Sequence, residues 1–198
     1  MQGHIRKEEI IYNGDQLTSL FNYRATKEVG DSILAFKGMM DVTADHMVDI
    51  EDVIENDFIY SPKAVNFIIE LFDISLESTI LYQRAFMQII ANALNTDFLK
   101  ERAIVPYQVQ LDGDDIFILK IKTPPGKLSV SIATISKISG LIHTGLNLEL
   151  DSKVPVFAAC LGDLFAKEVQ DTLIAIVVND FCAYVDEIKR CKYKVLGV

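Results

Sequence analysis

Apolar residues recur along the chain with two periods, and the switch between them divides it into elements. Residues 5–12 alternate as a first strand that ends at the turn Asn13-Gly14. Asp15 then caps a predicted helix carrying Leu17, Leu20, Phe21 and Arg24. Gly30 stops that segment, and residues 31–36 predict a second strand. Ile50, Val53 and Ile54 have helical spacing inside a stretch, 41–57, that holds seven acids and no Lys or Arg. The expectation there is a short helix with a solvated acidic face, since no calcium-loop spacing is present. Ser61-Pro62 reads as a helix opening that Phe67, Ile68, Leu71 and Phe72 continue. A longer helix is expected over 76–98, with Ile80, Met87, Ile90, Leu94 and Phe98 on one stripe. After Pro106 the period falls to two. Val109-Gln110-Leu111, the turn Asp112-Gly113-Asp114 and residues 116–121 form a hairpin. Strands over 127–135 and 141–150 follow, then a closing helix over 163–189. Helices and antiparallel strands segregate, so the expected class is α+β: one domain, 1–198, in which an antiparallel or mixed sheet packs against helices.

The strands over 127–150 carry the most chemistry. Alternation sets Lys127, Ser129, Ser131 and Ala133 on one side of the first, and His143, Gly145, Asn147 and Glu149 on one side of the second. A hairpin turning at Ile138 pairs Ala133 with His143, Ser131 with Gly145, Ser129 with Asn147 and Lys127 with Glu149. Small side chains in a row leave a trough in which a ligand can lie against the backbone, and His143 and Asn147 supply groups to orient it. A plain covered sheet face fits the same pattern.

Composition narrows the function classes. Of 198 residues half are hydrophobic and 24% charged, which is too apolar for disorder. The longest apolar run, 173–178, is far short of the ~20 residues of a membrane span. The N-terminus has no apolar block behind its charges, so no secretory signal is expected. A net charge of −9 argues against sequence-independent binding to nucleic acid or anionic lipid. Cys160, Cys182 and Cys191 form no close metal pair, and Cys182 and Cys191 fall on opposite faces of a helix. A reducing, cytoplasmic location is the expectation. High apolar content in one small domain also predicts a homodimer.

Residues 126–129 (Gly-Lys-Leu-Ser) and His143-Thr144-Gly145-Leu146-Asn147 resemble the biotin and lipoate protein ligase and octanoyltransferase superfamily, whose fold is like that of class II aminoacyl-tRNA synthetases. In that superfamily a catalytic lysine begins one strand and the next carries a Gly-x-Asn or His-Gly-x-x-x-Asn signature. Octanoyltransferases add a nucleophilic Cys-Gly ahead of a helix, and Cys160-Leu161-Gly162 is similar with one residue inserted. The chain as a whole is closer to a largely archaeal family, number 366 among the domains of unknown function, through residues 30–36 and 126–134. The Gly/Arg-rich loop that holds adenylate phosphates in biotin ligases, the Arg-Arg-x-Ser/Thr-Gly-Gly-Gly run of lipoate ligases and the Gly-rich segment of octanoyltransferases are all missing.

The resemblance implies catalytic roles for Lys127 and Cys160, with Ser129, Ser131, His143, Gly145 and Asn147 lining a small-molecule carboxylate or acyl site. Lys127 would stabilise developing negative charge or act as a base. It also fits a strand-end lysine paired with Glu149. Cys160 ahead of a helix fits an activated thiolate, and equally a small core filler. Arg24 is the candidate for holding a carboxylate or phosphate, against a surface pair with Glu28; Arg84 is a weaker one. Gly30 and Asp31 shape a ligand loop, or end a helix and start a strand. His143 has no histidine at metal-ligand spacing, so no metal is expected, and the cofactor is left open. Three functions compete: acyl transfer or acyl and carboxylate binding, a non-catalytic small-molecule or scaffold module, and an ATP-dependent ligase of a small carboxylic acid.

Overall fold

Thirteen helices and strands follow one another in the computed structural model, which describes residues 1–197. In order they are β1 (Gln2–Ile5), α1 (Phe21–Thr26), β2 (Ser32–Val42), α2 (Ile50–Glu55), β3 (Ile59–Phe72), α3 (Leu76–Leu94), α4 (Asp97–Lys100), β4 (Tyr107–Asp112), β5 (Asp115–Lys120), β6 (Gly126–Lys127), β7 (Ser129–Ile135), β8 (Ser139–Glu149) and α5 (Lys167–Cys191). Short 3₁₀ turns stand at Ala44–His46 and Leu161–Asp163. Five strands form the main sheet in the order β1-β2-β3-β8-β7, antiparallel except where β1 runs parallel to β2. A second sheet has the order β4-β5-β6. The class is α+β, as the segregation of helices and strands predicts.

Helices α3 and α5 cover one face of the main sheet. Phe86 of α3 meets Phe67 of β3 and Phe181 of α5 edge-on, with ring centroids 5.3 and 4.9 Å apart. Each fully buried ring of this kind stabilises the fold by about 1.5–3 kcal/mol. The opposite face buries Leu34, Phe36, Met40, Ala64 and Ile68 under the N-terminal segment that carries Tyr12 and α1.

Beyond the first strand, which is β1 at Gln2–Ile5 and not residues 5–12, three expectations are corrected. The segment that begins at Ser61-Pro62 is not a helix but the 14-residue central strand β3. Both its faces are buried, so it reads as a continuous apolar run without alternation. Pro62 is tolerated because the β2 ladder shifts register between Gly38 and Met40, opposite it. The helix expected from Asp15 is only the six residues of α1, because Leu20 before it is left-handed at φ 62°. The buried Glu70 carboxylate accepts the Leu20 N–H at 2.9 and 3.1 Å, which holds that conformation.

The third correction matters most for the site. In β7 and β8, Ser129 pairs with Leu146, Val130 with Gly145, Ser131 with Thr144 and Ile132 with His143. This is one residue off the expected register, and a one-residue slip exchanges the faces. His143, Gly145 and Asn147 therefore share a face with Val130 and Ile132. Ser129 and Ser131 turn to the helix side, with Thr144 and Leu146.

Candidate functional site

A cavity of about 310 Å³ opens on the face of the main sheet away from α3 and α5. Its floor is set by His143. That imidazole stacks on Tyr12, with centroids 3.5 Å apart and planes 10° from parallel, and its Nε2 meets Asn66 Oδ1 at 3.0 Å. Burial drives the pKa of His143 down to about 3, so the ring is neutral in the folded protein at physiological pH. Beside it Gly145 makes room for Met40: a Cβ there would lie 2.4 Å from the Met40 sulfur. The trough expected at Gly145 is thus filled by a side chain from β2.

Lys127 comes to the cavity from the seam between the two sheets. It ends β6, and its backbone pairs with Ala158 through the N–H to Phe157 O and the carbonyl to the Ala159 N–H, both at 3.0 Å. Gly126 permits that approach, since a Cβ on it would lie 2.9 Å from the Ala158 carbonyl carbon. Asn147 clamps the seam by donating from Nδ2 to the carbonyls of Lys127 (3.4 Å) and Ala159 (3.2 Å). The lysine amine is fixed by Asp115 at 2.9 Å, not by Glu149. An ammonium so held keeps donors for a ligand oxygen and can stabilise negative charge developing there.

The rest of the lining is mainly acidic and apolar, with His46 and Tyr60 also bordering it. Asp49, Asp52 and Asp57 reach it from around α2, and Asp114 and Asp115 from the β4–β5 turn. Burial, together with repulsion from Asp49 and Asp57, raises the pKa of Asp52. Apolar walls come from Val42, Met47, Ile59, Val130 and Val156. Among the described residues no group of three His, Cys, Asp or Glu side chains is placed to hold a metal ion.

Of the residues singled out in the sequence, Lys127, His143 and Asn147 meet at this cavity. Ser129 and Ser131 border it, but their hydroxyls are committed elsewhere. Ser129 Oγ accepts the Ile116 N–H at 2.8 Å, and Ser131 Oγ engages Gln83, Thr144 and the His143 carbonyl. Cys160 is buried and is not part of the cavity lining. Burial raises its thiol pKa, which opposes thiolate formation. Arg24 lies exposed, donating to the Ser19 carbonyl at 3.1 Å, while Glu28 meets His4 instead. Arg84 pairs with Asp114 at 2.8 Å. Gly30 takes a positive φ of 104° in an open turn, and Asp31 accepts the Phe72 N–H at 2.9 Å and pairs with Lys189. Asp31 thereby fastens the end of α5 to the sheet, away from the cavity.

Sequence reasoning missed Tyr12, Met40, Asp115 and the acids around α2 as parts of the site. The acidic stretch was visible as a short helix, and α2 is one, with Ile50 and Ile54 exposed. Nothing in its spacing shows that Asp49, Asp52 and Asp57 border a cavity.

Comparison with known proteins places this geometry. Among solved structures, a protein of unknown function from Pyrococcus horikoshi aligns over 100% of this chain and 98% of its own, at 26% identity and a TM-score of 0.81. A lipoate-protein ligase A bound with ATP aligns over 92% of this chain and 86% of its own, at 15% identity and a TM-score of 0.54. A biotin protein ligase from Aquifex aeolicus aligns over 94% and 71%, at 12% identity and a TM-score of 0.50. The chain therefore has a biotin/lipoate ligase-like fold. An uncharacterized protein of Methanocaldococcus jannaschii, MJ0805, is 30% identical over 197 residues, covering 96% of this chain and 82% of its own length. With that kinship and a match to the family across residues 1–196, the chain belongs to the family described as a domain of unknown function, DUF366.

Proposed function

We propose that the cavity binds a small carboxylic acid or its acyl derivative, with the Lys127 amine holding the head group. One observation carries this reading: Lys127, aimed by Asp115 at 2.9 Å, is the one Lys or Arg among the described lining residues, set among aspartates, apolar side chains and polar groups such as His143 and Asn147. Lipoate and biotin, named in two of the proteins that share the fold, are both carboxylic acids with apolar bodies. A cavity of about 310 Å³ is the size for one such molecule.

Charge refines the head group. Five aspartates stand around one lysine; Asp115 already neutralises that lysine, and only Asp114 among the other four is paired with an arginine, Arg84. A neutral acyl carbonyl accepts from the ammonium without meeting this field, whereas a free carboxylate must work against it. A polyanion such as ATP fares worse, so the ligase alternative gains no support from the lining. Cys160 lies outside the lining, and the reading does not use it as a nucleophile.

Thermal unfolding in the presence of octanamide, methyl octanoate, octanoate and lipoate tests the reading, because a ligand of the folded state raises the midpoint by mass action. The expected result is a saturable rise that is larger for the neutral acyl compounds than for the acids and is abolished by Lys127→Ala. No rise with any of the four compounds, or an equal rise in the variant, overturns it.

A further inference from the structure

A groove of about 710 Å³ lies on the helix side of the main sheet, beside the first turns of α5. It shares no lining residue with the Lys127 cavity. Arg6, Lys7, Lys37, Lys63 and Lys167 all border it. In a chain of net charge −9, five of the 19 lysines and arginines are thus gathered at one concavity. Mutual repulsion makes such a gathering unfavourable unless negative charge is brought to it.

The protein supplies part of that charge itself. Lys63 pairs with Glu9 at 2.9 Å, Lys37 pairs with Asp171, Arg6 pairs with Glu8 at 3.1 Å, and Glu149 also borders the groove. These pairs occupy three of the five cations. Lys7 and Lys167 have no carboxylate within 4.0 Å among the described residues, and five cations against four acids, Glu8 included, leave the groove positive. Helix α5 starts at Lys167 with no side chain capping its amides, so the positive end of its dipole adds to the same wall. The floor is apolar, formed by Ala35, Val65, Leu148 and Ile174.

The geometry points to a second binding site, for a small molecule that carries a doubly charged oxyanion on an apolar body. Phosphate and dicarboxylate share this chemistry. Lys7 and Lys167 make the contacts to the anion, and Lys37 and Lys63 set the field. The site is independent of the reading given to the Lys127 cavity.

Titrating the full chain with pyrophosphate and, separately, with succinate, at constant ionic strength, with the unfolding midpoint as readout, tests this. A saturable rise is expected with at least one probe. It should weaken at least tenfold in Lys7→Glu/Lys167→Glu and be unchanged in Lys137→Glu, which alters an exposed lysine outside both hollows. Lys7→Glu alone, on an exposed segment, gives the same reading at smaller amplitude should the double variant fold poorly. A rise with pyrophosphate alone assigns phosphate, and one with succinate as well assigns the wider oxyanion class. Absence of a saturable rise with both probes, or a rise equal in Lys7→Glu and the wild type, overturns the site.

Discussion

The two hollows lie on opposite faces of one sheet and carry opposite charge. The Lys127 cavity gathers five aspartates, and the groove beside α5 gathers five lysines and arginines. Strand alternation sorts them. On β2, Ala35 and Lys37 border the groove, while Met40 and Val42 border the cavity. On β3, Lys63 and Val65 border the groove, and Asn66 turns the other way to hold His143. Successive side chains point to opposite faces, so an acidic chain can present a positive surface without changing its total charge. Net charge alone is therefore a poor guide to what either face binds.

The N-terminal segment serves both regions, since Tyr12 stacks in the cavity and Arg6 and Lys7 border the groove. Gly38→Ala is the change that should damage both at once. A Cβ there would lie 1.9 Å from the Ile10 carbonyl oxygen, so the segment must leave β2. Overpacking against backbone is expected to cost about 3 kcal/mol, read as a lower urea midpoint. A neutral outcome would mean that the segment is not what shapes the two hollows.

His143 separates the regions by pH. The unfolded chain protonates it near its ordinary value of 6.5, while the folded chain resists protonation down to about 3. Stability contributed by the neutral ring is therefore present above pH 6.5 and lost as the pH falls through this window. At pH 5 the loss is about 2 kcal/mol. In His143→Phe, which keeps the stacking on Tyr12, this part of the acid loss should vanish. Equilibrium unfolding of the two proteins at pH 7.5 and 5 measures it. Parallel curves would show that the ring titrates normally.

Asp115→Asn sharpens the charge argument. Removing the carboxylate that competes for Lys127 should strengthen octanoate binding about fivefold, or roughly 1 kcal/mol, while leaving octanamide nearly unchanged. Calorimetry distinguishes the two ligands, and weaker octanoate binding would show that Asp115 aims the amine more than it competes for it. The smallest effect is expected from Cys160→Ser. It should leave acyl-compound binding within twofold and cost about 1 kcal/mol of stability, because a buried hydroxyl replaces a thiol. Lost binding in that variant would bring the thiol back into the site.

Local pattern determined a good deal of this molecule. Helices α3 and α5 are legible because each has one buried stripe, and the β4–β5 hairpin because an Asp-Gly turn separates two alternating runs. Lys127, His143 and Asn147 are legible as one constellation through the family likeness, since the hairpin register that strand spacing suggested is one residue off. Tertiary structure decided the rest. Strand β3 has no periodicity to read, since helices cover one of its faces and the N-terminal segment the other. The β7–β8 register is set by β3 on the far side of β8, through His143 against Ile68 and Gly145 against Asn66, so no hairpin considered alone can choose it. Asp115 as the partner of Lys127 depends on how β6 turns back along β5, and the aspartates around α2 as cavity walls depend on contacts between segments far apart in sequence. Side-chain spacing reports only which way a residue points from its own strand or helix, and packing determines what it meets there.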